Sequence, residues 1–124
     1  MDGITKCLDT YALIEITNEN ARFSHYLSSE FVITELTLVE FYSVILREHD
    51  ERTADYWIKK LEGYAVPVGK DILIESVKFR QKNKNKGISF FDAVGYIFSM
   101  KNGYAFVTGD KEFSSFKNVE FVKK

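Results

Sequence analysis

Short β-prone runs alternate with stretches of helical periodicity along the chain, and no other feature narrows its choice of fold so far. Residues 4–8 read as a first strand that stops at Asp9-Thr10. Ala12, Leu13, Ile14 and Ile16 follow as one or two helical turns, residues 18–27 as a short helix, and Phe31-Val32-Ile33 as a second strand. Between Thr37 and Glu48, the apolar residues Leu38, Phe41, Val44 and Ile45 recur at helical spacing. Ala54, Trp57, Ile58 and Leu61 do the same over residues 51–61. Residues 65–68 give a third strand, in which Pro67 marks an edge or an end. A helix over 71–80 is expected to turn Ile72, Leu73, Val77 and Phe79 inward, and the polar residues 82–87 to form a loop. Residues 89–102 carry the clearest helical pattern: Ala93, Val94, Ile97, Phe98 and the stem of Lys101 share a face, and Asn102-Gly103 supplies the stop. Strands over 104–108 and 119–122 complete the pattern, which predicts one domain over residues 1–124: a three-layer α/β/α sandwich around a short, mostly parallel sheet.

Composition excludes several function classes. With 17 basic and 18 acidic side chains the formal charge is -1, so bulk charge does not bind nucleic acid and any polyanion site must be local. Eleven Phe, seven Tyr and one Trp supply the volume for a single filled core. The single cysteine, Cys7, cannot form an intramolecular disulfide; it falls in the first strand and reads as a buried, inert thiol. No Cys/His spacing suggests zinc, and His25 and His49 read as ordinary surface or helix residues. Met1-Asp2-Gly3 leads into no apolar run, and no stretch nears the roughly 20 apolar residues of a membrane span, so a soluble cytoplasmic domain is expected.

Four acids fall at telling places. In parallel α/β sheets the crevice lies beyond the carboxyl ends of the strands. Asp9 directly follows the first strand and Asp110 comes just after the fourth; Glu40 and Asp92 fall in the first turns of expected helices. Parallel strands would bring all four to one edge. Each acid also has an ordinary structural reading. Thr37-Leu38-Val39-Glu40 matches a capping box, Ser89-Phe90-Phe91-Asp92 is a looser version, and Asp9 and Asp110 suit caps or turns. Together the four would repel one another unless a cation intervened, and such hard oxygen ligands select Mg²⁺ or Mn²⁺.

Leu8-Asp9-Thr10, Thr37-Leu38-Val39-Glu40-Phe41, Ser89-Phe90-Phe91-Asp92-Ala93 and Val107-Thr108-Gly109-Asp110-Lys111-Glu112-Phe113 occur in an order and spacing that resemble the four blocks of a PIN domain. The length and helix order further resemble the small VapC-type toxin ribonucleases, over essentially the whole chain. The resemblance implies a metal-dependent endoribonuclease that hydrolyses RNA phosphodiester bonds. It places Asp9, Glu40, Asp92 and Asp110 on the acidic quartet, Thr108 on the hydroxyl position beside it and Phe113 on a packed aromatic. On strand ends, Asp9 and Asp110 suit direct metal ligation; Asp92 suits direct or water-mediated ligation, and Glu40 the orientation or deprotonation of water. The resemblance also implies an antitoxin partner and a homodimer. Tyr11 departs from the family pattern, standing where a small polar residue is common, and is expected to narrow the pocket or alter access.

Two features lie outside that resemblance. Lys78, Arg80, Lys82, Lys84 and Lys86 place five cations in nine residues. Lys82, Lys84 and Lys86 form an RNA-binding patch only if the segment is extended; otherwise they are a solvated loop. Phe90 and Phe91 read either as a stacking face for a base or, more simply, as core. Rival enzymes fit less well. A haloacid-dehalogenase-type phosphatase needs a second Asp where Tyr11 stands, a receiver domain needs an acidic pair before its first strand's end and a lysine at its last whereas Asp9 stands alone in the first-strand block, and no GxGxxG or GxxxxGK[ST] occurs. A catalytically inactive PIN-fold module that binds RNA or protein is the non-enzyme alternative.

Overall fold

The computed structural model describes residues 3–124; Met1 and Asp2, used above in reading the start of the chain, lie outside the described residues. Strand β1 (Lys6–Leu8) leads into α1 (Thr10–Thr17) and the short α2 (Ala21–Ser24), then β2 (Phe31–Thr34). Helices α3 (Glu35–Glu48) and α4 (Glu51–Leu61) connect to β3 (Ala65–Val66). Helices α5 (Lys70–Lys82) and α6 (Phe90–Asn102) then lead to β4 (Ala105–Thr108) and β5 (Val119–Phe121). The five strands form one sheet in the order β3-β2-β1-β4-β5. Every pairing is parallel, so the expectation of a mostly parallel sheet understated its regularity.

A parallel sheet needs cover on both faces, and successive strand residues supply it by pointing to opposite sides. Leu8, Ile33 and Val107 join α1, α2, α3 and α4 in one core through Leu13, Phe23, Phe41 and Leu61. Their strand neighbours Cys7 and Phe106 join α5 and α6 in the other, through Ile72, Val94, Tyr96 and Phe98. These are the two outer layers of the sandwich. Gly95 lets α6 lie close to the sheet: a Cβ there would stand 2.8 Å from Cε1 of the fully buried Phe106. Among the described residues no helix is long and apolar enough to cross a membrane.

The connections locate the crevice. The chain passes from β1 to β2 to β3 through helices on one face, then from β3 to β4 through α5 and α6 on the other. Strand order therefore reverses between β1 and β4, and in such sheets ligands bind beyond the strand ends at that switch point. Asp9 and Asp110 follow these two adjacent strands.

Some local readings shift. Thr34, not Thr37, caps α3: its hydroxyl accepts from the Thr37 N–H at 3.0 Å, and the helix starts two residues before Thr37. The capping box proposed for Thr37 and Glu40 is therefore absent. In α5, Val77 is 58% exposed, contrary to expectation, while Ser76 is buried and donates its hydroxyl to the Ile72 carbonyl at 2.7 Å. That internal bond satisfies the one polar group of Ser76, so a serine can sit where the pattern suggested valine. The loop expected over 82–87 is instead the end of α5 followed by a 3₁₀ turn, Lys84–Lys86, closed by Gly87 in the left-handed region (φ +67°).

Candidate active site

Asp9 caps α1, where its Oδ1 accepts the Ala12 N–H at 2.8 Å. Its own N–H donates to the Val107 carbonyl at 3.2 Å, which ties it to the end of β4. Asp9 is 1% exposed, and among the described residues its buried Oδ2 has no hydrogen-bond partner. Thr108 ends β4, fully buried, and its hydroxyl accepts the Asp110 N–H at 3.0 Å. Asp110 in turn caps the turn Lys111–Phe113 by accepting from the Glu112 N–H at 3.0 Å. Phe113 anchors that turn: it is fully buried, with its ring 5.2 Å from Phe106 and 5.6 Å from Tyr96.

Asp92 occupies the first turn of α6, where its N–H donates to the Ser89 hydroxyl at 3.1 Å. Glu40 lies in the second turn of α3 and accepts a short hydrogen bond from the Thr10 hydroxyl at the start of α1. The structural readings of Asp9 and Asp110 as caps and their grouping at one site are thus compatible, because each cap occupies Oδ1 alone.

One electrostatic field links the four acids. Burial holds the Asp9 carboxyl well above its usual range; the charge of Asp92, and less strongly that of Asp110, adds to the rise. Hydrogen bonding from the Thr108 hydroxyl and the Ala12 N–H eases it, although among the described residues none meets Oδ2 in ordinary hydrogen-bond geometry. Burial likewise pushes Asp92 up to about 6, with Glu40 and then Asp110 adding repulsion and the Ser89 hydroxyl partly offsetting it. Among the described residues no three His, Cys, Asp or Glu side chains have their donor atoms gathered as metal ligands would be. The acids share a field, not a closed cage.

Contacts across the chain account for what the sequence pattern missed. Nothing singled out Thr10 as a partner of Glu40, since that role appears only when the two helices lie side by side, whereas Ser89 caps α6 through the Asp92 N–H as the looser capping pattern had it. Tyr11 packs on Gly109, where a Cβ would lie 2.2 Å from its Cε1, and its ring centroid is 5.9 Å from that of Phe23. The tyrosine thus fills the space that Gly109 leaves beside Asp110. Phe90 packs against the second core, as the simpler reading had it.

The basic segment does not adopt the extended form that a patch of Lys82, Lys84 and Lys86 requires. Lys82 ends α5 and the other two lie in a 3₁₀ turn, whose three residues per turn send side chains two apart in different directions. Lys86 is also engaged, with its ammonium 5.5 Å from the centre of the Phe116 ring.

The family model for the PIN domain matches residues 6–119. The chain belongs to the PIN domain family. Comparison with curated proteins found no match. Solved structures share the PIN fold at low identity. A toxin–antitoxin complex from Klebsiella pneumoniae superposes with a TM-score of 0.73 at 19% identity, over 93% of this chain and 95% of that one. Mycobacterium tuberculosis VapC20, a sarcin-ricin loop cleaving toxin, gives 0.76 at 16% identity, over 92% and 98%. The DNA-bound VapBC of Salmonella typhimurium gives 0.71 at 18% identity, over 97% and 98%.

Proposed function

We infer that this PIN domain is an endoribonuclease that hydrolyses RNA phosphodiester bonds with Mg²⁺ or Mn²⁺ held by Asp9, Asp92 and Asp110. The observation that carries the reading is the buried, unpartnered Oδ2 of Asp9 in the repulsive field of Asp92 and Asp110. A buried acceptor without a donor costs roughly 1–3 kcal/mol, and a hard cation is the group that would satisfy it. When bound, such an ion neutralises the phosphate, acidifies water and stabilises the leaving oxygen.

The chain's own residues do the rest. The caps on Oδ1 fix Asp9 and Asp110 on rigid strand ends and leave their second oxygens for the ion. Thr108 holds the Asp110 backbone in register. The Thr10 hydroxyl fixes one oxygen of Glu40, which leaves the other to orient the attacking water and take its proton.

Incubation with labelled single-stranded RNA tests this. Wild-type protein should cleave it with Mg²⁺ or Mn²⁺ and not with EDTA, and Asp110→Asn should lose at least about 100-fold. Binding without cleavage in every metal would instead favour the inactive RNA-binding module. The toxin–antitoxin complexes of the same fold support a wider reading: this chain is the toxin of such a pair, a homodimer in the cytoplasm neutralised by an antitoxin protein.

A further inference from the structure

A cavity of about 400 Å³ lies between the end of α5 and the start of α6. Arg80, Gln81, Asn83, Lys84 and Ser89 supply its polar wall, and among the described residues no acidic side chain lines it. Ser89 belongs to both places: it borders the cavity, and its hydroxyl accepts the N–H of Asp92. The hollow thus shares with the acidic cluster the residue that caps α6 and holds the Asp92 backbone.

Arg80 is already set for a ligand. Its Nε donates to the Ile88 carbonyl at 2.9 Å, which fixes the plane of the guanidinium. Among the described residues neither terminal nitrogen has a hydrogen bond or an ion pair. A guanidinium held by one edge presents the other as a fork matching two oxygens of a phosphate, while Lys84 adds a point charge on the same wall. Lys86, spent on Phe116, and Lys82, which does not line the cavity, are not needed.

We propose that this cavity seats a backbone phosphate of single-stranded RNA flanking the one at the carboxylates, with Arg80 gripping it and Lys84 assisting. The assignment rests on the nuclease reading and deepens it: the scissile phosphate needs the acids, its neighbour needs the cations, and Ser89 marks the boundary. It replaces an extended lysine patch with a site built on one oriented arginine.

Two substrates separate the sites: a short oligoribonucleotide, and bis(p-nitrophenyl) phosphate, which offers a phosphodiester without a flanking phosphate. Arg80→Gln and Lys84→Gln are each expected to raise KM for the oligoribonucleotide on the order of 10-fold, as expected for losing a charge-assisted contact. Hydrolysis of the small diester should stay within about twofold of wild type. In fluorescence anisotropy each variant should flatten the salt dependence of RNA binding by about 0.7 in log–log slope. Unchanged KM and slope in both variants would overturn the assignment, as would equal losses on both substrates. Lys84 makes no bond on which the fold depends, so its variant carries the test if Arg80→Gln disturbs the α5–α6 connection. If wild-type protein cleaves neither substrate the nuclease reading fails, and the salt slope alone then decides whether the cavity binds RNA.

Discussion

Replacing Asp9 by Asn is expected to make the metal-free protein more stable and to abolish RNA cleavage. Asn keeps the cap, since its carbonyl can still accept the Ala12 N–H that Oδ1 now accepts at 2.8 Å. It removes a buried carboxyl whose ionisation Asp92 and Asp110 oppose, and it replaces the unpartnered Oδ2 by an amide N–H₂ in their negative field. Relief of one unsatisfied buried group is on the order of 1–3 kcal/mol, a rise of several degrees in melting temperature for a domain of this size. Any stabilisation of wild type by Mn²⁺ should largely vanish in the variant. Thermal melts with and without MnCl₂ check both halves. A variant less stable than wild type without metal would show that Asp9 serves the fold first, against the usual trade of stability for a working site.

The second large effect is a fall in metal-free stability between pH 5 and pH 7.5. Asp92 is raised to about 6 and Asp9 well above its ordinary carboxylate range, both chiefly by burial. A carboxyl raised in the fold favours folding while protonated. Its contribution is complete below the unfolded value near 4 and is lost as pH climbs through the folded one. For Asp92 the shift from 3.8 to about 6 corresponds to roughly 3 kcal/mol lost by neutral pH. Asp50, whose pKa is lowered by its cap to Thr53, works in the opposite sense, but its window lies below about pH 4. Urea denaturation at pH 5, 6 and 7.5 should show the decline, and Mn²⁺ at 100 times its Kd should return about 2.7 kcal/mol at pH 7.5. Stability that rises over this range would contradict the arrangement of the acids.

How much was legible depends on how local the cause was. Helix α4 appears at the expected bounds because Asp50 caps it and its apolar face is continuous. Helix α6 does too, because Ser89 opens it and Gly103, at φ +70°, closes it. The start of α3 was misread because Thr37 and Glu40 have capping-box spacing while Thr34, three residues earlier, has the geometry. The inward face of α5 slipped by one residue since a serine bonded to its own helix buries as readily as a valine.

The same division runs through the candidate site. The four acids were legible as positions after strands and at helix starts, which is a matter of chain order. Their environment was not. The bond from Thr10 to Glu40 spans 30 residues, and the isolation of Asp9 Oδ2 depends on what β4 and α6 bring beside it. The engagement of Lys86 by Phe116 and the exposed edge of Arg80 are likewise products of packing, invisible in a run of alternating cations.

The central claim is that the acids at the ends of β1 and β4 and the start of α6 gather to hold a divalent cation. Diffraction at the manganese edge, from crystals grown with MnCl₂ near pH 7.5, tests it most directly. An anomalous peak bonded to Asp9 Oδ2 and shared with Asp92 or Asp110 is the result this account requires. A well-ordered site with no manganese, or manganese bound only elsewhere on the protein, would contradict it.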